Sequence, residues 1–249
     1  MLDSDIGPEI DPQRRIAFQH MKAGEYDAAI TIYERVVIED PVKASWNELG
    51  TALLCAGELV KAEEAYRRPR ELPSPHGYVT VSVGTALWLQ GRYSDACADW
   101  REELDRIMTT KLKRYNAAGI FICDILWWAY RRIEAPEMWS ALQPQLKLVL
   151  KTRGQQEVWG LTIMQFIIDG ITPVELLEIA PDAYGVGNVD PTSRPALRCV
   201  TQAHFYIAGK HEAGSGDWRK ALASAVHSGN PAAISYPEYH IAKYELARS

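Results

Sequence analysis

Small, charged and large apolar positions recur along this chain in a fixed order. Four times a small residue is followed seven positions later by a glycine and five positions after that by an alanine: Ala17/Gly24/Ala29, Gly50/Gly57/Ala62, Gly84/Gly91/Ala96 and Gly209/Gly216/Ala221. A charged residue and then a large apolar one follow each glycine, as Glu25-Tyr26, Glu58-Leu59, Arg92-Tyr93 and Asp217-Trp218. In the first three sets an aromatic residue stands four positions beyond the alanine, as Tyr33, Tyr66 and Trp100. The first three glycines lie 33 and 34 residues apart, the period of helix-turn-helix repeat arrays.

The order has a physical cause. The glycine closes the first helix of a hairpin, where a left-handed residue costs least without a side chain. The small residue and the alanine then face each other across the antiparallel pair. They let the helix axes approach closely, and the aromatic fills the space further along. The pattern predicts helices over residues 12–23, 26–38, 42–56, 59–72, 77–90 and 93–108, with Asp11-Pro12 opening the first. Pro69 falls inside the fourth, where a kink or an early end is expected.

From about residue 111 the register is lost, but helical segments continue over 111–133, 136–152, 155–168 and 173–180. The last opens on Thr172, Pro173 and Glu175, a capping box with proline in the first turn. Residues 181–192 form one long irregular stretch, and helices resume over 193–213, 217–228 and 232–247. No strand pattern interrupts them. The expected fold is all-α, an α-solenoid of antiparallel helix hairpins with a divergent helical C-terminal half. Its expected parts are three repeats in 1–110, a divergent segment in 111–192, and a last hairpin with a capping helix in 193–249.

Trp46–Tyr66 (WNELGTALLCAGELVKAEEAY) and Val83–Trp100 (VGTALWLQGRYSDACADW) resemble the tetratricopeptide repeat. The likeness covers roughly residues 10–110, with a weaker unit near 202–228. Val158–Ala180 and Ala203–Ala247 resemble the second half of the bacterial NlpI lipoprotein family. The features that carry this are Trp159-Gly160, Gly170-Ile171, Phe205-Tyr206 before Gly209, and Glu238-Tyr239 with Glu245-Leu246-Ala247. That resemblance implies a non-enzymatic, usually dimeric adaptor holding cell-envelope proteases and peptidoglycan hydrolases together. The family's lipid-attachment cysteine and leader have no counterpart here. A cytoplasmic location is therefore expected, or a periplasmic or envelope-associated one if a leader has been removed.

Composition narrows the partners. Hydrophobic residues make up 47% of the 249, charged residues only 24%, which argues for a folded chain with a large core. The net charge of −5 and the absence of any long basic run argue against a nucleic-acid partner. No apolar run approaches the length of a membrane span. Cys55, Cys97, Cys123 and Cys199 stand singly in apolar segments, which suits reduced, buried thiols.

The first helix of each hairpin lines the concave face of such an array. The groove is therefore expected to present Arg14, Phe18 and Met21, then Asn47, Thr51 and Leu54, then Tyr78, Val81, Thr85 and Trp88. This apolar and aromatic set suits an amphipathic helix or an extended apolar peptide. Phe18, Tyr78 and Ser82 stand where the repeat's carboxylate-clamp version requires polar or cationic groups. The same side chains also suit packing against the chain's own C-terminal half or a second subunit in a homodimer. Trp127, Trp128 and Trp139 are read as exposed, as interface anchors or as core.

Catalytic, metal and cofactor signatures are missing. His204 and His211 are seven residues apart, not the four of a helical metal pair. Gly185-Val186-Gly187 and Gly214-Ser215-Gly216 are too short for a phosphate cradle, and no Gly-x-Ser-x-Gly occurs. The alternative to an adaptor is an enzyme or small-molecule-binding regulator with its site near 181–211, converging on Tyr184, Arg194 and His204.

Overall fold

The computed structural model describes residues 12–71, 81–109, 117–153, 159–183, 194–229, 233 and 236–249. Among them are thirteen α-helices, one 3-10 turn and no strand, so the chain is an all-α array of helices. It forms two compact units, residues 1–92 and 93–249.

Unit 1 contains α1 (Pro12–Ala23), α2 (Tyr26–Glu39), α3 (Lys43–Ala56), α4 (Leu59–Glu71) and α5 (Ser82–Leu89). Gly24, Gly57 and Gly91 follow α1, α3 and α5 with φ of 78°, 83° and 77°, the left-handed conformation their spacing predicts. Each turn is closed by the same two bonds. The glycine N–H donates to a carbonyl three residues back, and the next residue donates to one five back. Gly57 to Leu54 (3.1 Å) and Glu58 to Leu53 (2.9 Å) are one such pair.

The small positions do what the spacing implies. Ala17, Ala29 and Ala62 are fully buried. A Cβ at Gly50 would meet the Tyr66 ring at 2.6 Å, so that ring packs directly on the α3 backbone. Glu63 then ties α4 to the turn after α5, accepting from Arg67 (2.7 Å), Gln90 (2.9 Å) and Arg92 (3.0 Å). Burial opposes its charge, but these hydrogen bonds and the two guanidinium charges hold its carboxyl below the usual range. α4 does not end early at Pro69. The helix runs on to Glu71 with Pro69 buried inside it.

Unit 2 contains α6 (Tyr93–Thr109), α7 (Ala117–Arg132), α8 (Pro136–Arg153), α9 (Trp159–Ile167), α10 (Pro173–Ile179), a 3-10 turn (Ala180–Asp182), α11 (Arg194–Ala208), α12 (Gly216–Gly229) and α13 (Pro237–Arg248). The capping box at Thr172 is formed, its hydroxyl accepting from the Glu175 amide. The hairpin turn of unit 1 reappears here without glycine. Glu134 after α7 and Asp169 after α9 have φ of 57° and 64°. Each makes the same pair of bonds, Ala135 to Tyr130 (2.9 Å) and Gly170 to Gln165 (2.8 Å) completing them.

Counted from Glu134, the close-approach positions are Trp127 and Trp139, whose rings meet edge-on at 6.2 Å. The register lost from the sequence near residue 111 is thus a loss of small residues rather than of hairpins. The fourth glycine set departs from expectation. Gly216 opens α12 instead of closing α11, and the left-handed residue is Gly214, with φ of 82°. Gly209 is small because Trp127 and Trp128 would each lie 2.8 Å from a Cβ there. Trp127 and Trp128 are buried rather than exposed, Trp128 stacking on Phe205 at 4.5 Å, and Trp139 is half-buried.

Candidate protein-interaction groove

The residues expected to line the groove fall on three helices of unit 1. Arg14, Phe18 and Met21 project from α1, and Asn47, Thr51 and Leu54 from α3. Thr85 and Trp88 lie on α5, with Val81 just before it. Tyr78 lies outside the described residues. Met21, Leu54, Thr85 and Trp88 are buried, Trp88 completely, whereas Arg14, Phe18, Asn47, Thr51 and Val81 are half-buried. The reachable part of this face is therefore carried mainly by α1 and α3.

Its polar groups are largely tied to the repeats themselves. Arg14 spans two hairpins through a two-pronged ion pair with Glu48, Nε to Oε2 at 2.8 Å and Nη2 to Oε1 at 2.6 Å. Glu48 holds the guanidinium still more firmly protonated, outweighing burial. Thr51 donates to the Asn47 carbonyl at 2.9 Å and accepts from the Tyr66 hydroxyl at 3.1 Å. Lys22 sits 5.3 Å over the Phe18 ring. Oδ1 of Asn47 is buried and accepts no hydrogen bond. Glu48 joins this face although the groove pattern does not single it out. Its signal was available, since Arg14 and Glu48 carry opposite charges one 34-residue period apart.

The alternative site receives little from unit 2. Tyr184 and the Arg194 side chain are outside the described set. His204 is half-buried, and burial lowers its pKa. An open cavity of about 380 Å³ lies instead against Phe166, Ile171, Pro173, Glu175 and Lys210. Lys210 is spent on the end of α9, donating to the Ile167 carbonyl at 3.0 Å and pairing with Asp169. Among the described residues no helix is long and apolar enough to cross a membrane.

Residues 19–74 match the family model described as Tetratricopeptide repeat. The chain is also similar to the Lipoprotein NlpI homolog of Haemophilus influenzae (strain ATCC 51907 / DSM 11121 / KW20 / Rd), with 21% identity over 228 residues. That match covers 89% of this chain and 64% of the relative, so the chain spans less than two thirds of the relative's length.

Proposed function

Starting from a tetratricopeptide-repeat protein that resembles NlpI, we propose a non-enzymatic adaptor that holds a partner polypeptide on the first helices of its N-terminal repeats. The observation that carries this reading is the half-buried face of Phe18, Asn47 and Thr51. It offers an aromatic ring and a pre-set ion pair, on helices locked by their own turns. An amphipathic helix or extended apolar peptide would cover Phe18 with its apolar side. Recruitment of a protease or a cell-envelope hydrolase, the role that the NlpI resemblance implies, is the specific form of the proposal.

The test uses the full chain as bait, with captured proteins identified by mass spectrometry and the purified partner then titrated calorimetrically. Phe18→Glu is expected to weaken binding at least about tenfold while the helical circular dichroism stays unchanged. Unchanged affinity would remove the groove from the proposal. Light scattering over a dilution series separates a homodimer using the same face, because occupation by a second copy would disappear on dilution.

A further inference from the structure

Among the described residues, two carboxyl groups in the core of unit 2 have no cation paired with them. Asp124, in α7, and Glu238, in the first turn of α13, are both 0% exposed. Glu238 is satisfied on one oxygen only. Its Oε1 accepts from Gln202 Nε2 at 3.0 Å and from the Tyr206 hydroxyl at 3.1 Å. Gln202 in turn accepts from Trp159 Nε1 at 2.8 Å, so the chain of bonds leads back to α9. Oε2 of Glu238 and both carboxyl oxygens of Asp124 are buried and make no hydrogen bond among the described residues. An ionised carboxylate with unfilled lone pairs in such surroundings is strongly disfavoured, and a neutral acid is tolerated.

From α11, Gln202 and Tyr206 face Glu238; on α7, Asp124 has Glu238 and the Cys123 thiol as titratable neighbours; and α9 contributes the neutral indole of Trp159, which donates to Gln202. The arginines that reach α13 are engaged elsewhere. Arg198 donates to the Tyr236 hydroxyl at 2.8 Å, Arg132 to Glu245 at 2.7 Å, and Arg219 of α12 to the Ser249 carbonyl at 2.8 Å. On α13 itself His240 lies edge-on to the Tyr239 ring at 5.3 Å.

Burial pushes Asp124 well above the usual carboxyl range, and the neighbouring Glu238 charge pushes it further. Burial pushes Glu238 up to about 7, against its own backbone amide and the Gln202 and Tyr206 hydrogen bonds, which favour the anion. The Tyr206 hydroxyl is raised by burial and by both carboxyls, and so stays a donor.

We propose that Asp124 and Glu238 form a proton-controlled latch for the C-terminal helix. α13 is seated while the pair holds its protons, and the helix loosens as the pair gives them up to solvent. The sign follows from where the protons bind. A carboxyl that binds its proton more tightly folded than unfolded supports the fold fully below its unfolded range. That support declines as pH rises, and for Glu238 the decline is complete above about 7. Asp124, raised for the same reason, contributes a loss of the same sign.

Hydrogen exchange of the full chain at pH 6 and pH 8, corrected for intrinsic chemical rates, reads the latch. Protection of amides 239–247 is expected to fall about tenfold or more between the two, and that of α3 to hold. Asp124→Asn with Glu238→Gln, which keep the shape and remove the titration, is expected to abolish the fall. Equal α13 protection in the natural chain at both pH values would overturn the proposal. So would an undiminished fall in Glu238→Gln alone, the control should the double variant not fold.

Discussion

Gly50 and Gly57 sit seven residues apart, one within α3 and one in its closing turn, yet they are glycine for different reasons. A methyl group at Gly57 meets nothing within 4 Å, and the constraint is the φ of 83°. At Gly50 the backbone is ordinary helix and the constraint is the Tyr66 ring, 2.6 Å from the would-be Cβ. Gly57→Ala is therefore expected to cost about 1 kcal/mol, whatever stands at position 66. Gly50→Ala is expected to cost about 1–3 kcal/mol through overpacking, and a further Tyr66→Leu change should recover part of that loss. Urea unfolding of the natural chain, the three single variants and the two double variants checks both statements. Equal recovery of both alanine variants by Tyr66→Leu would contradict the distinction.

At the scale of the helical element, the turn is the unit that persists. Three turns are closed by glycine, and two in unit 2 by Glu134 and Asp169 in the same conformation with the same bonds. The glycine rhythm made the repeat register of the first hairpins legible, whereas α7 and α8 were legible only as helices because Trp127 and Trp139 replace the small pair. Nothing about two tryptophans in sequence announces a close-packed position. Their edge contact exists only once the hairpin has formed. A left-handed glutamate carries a Cβ penalty that glycine lacks. Glu134→Gly should then raise the melting temperature of unit 2, by about 1 kcal/mol of stability. Asp169→Gly should gain less, since it also gives up the pairing with Lys210. Differential scanning calorimetry of the two variants makes the comparison, and destabilisation by Glu134→Gly would refute the reading of this turn.

Across the whole molecule the interior decides which groups can react. All four cysteines are free thiols, with Cys97, Cys123 and Cys199 buried and Cys55 half-buried. Burial pushes the Cys97 thiol up to about 12, and burial together with the Asp124 carboxyl raises Cys123 further. A thiol-specific reagent at pH 8 is expected to modify Cys55 in the native protein and the other three only after unfolding. Rapid native modification of two or more would show that the cores of the units open readily. The chain dictated its helices, its hairpin turns and the repeat period through local conformational preference and spacing, because these depend on neighbours a few residues away. Folding in three dimensions settled the rest. It buried Trp88 while leaving Phe18 reachable, committed Arg14 to Glu48, and brought Asp124 and Glu238 together without a counter-charge. Those outcomes depend on distances between residues far apart in the chain, and no local pattern encodes them.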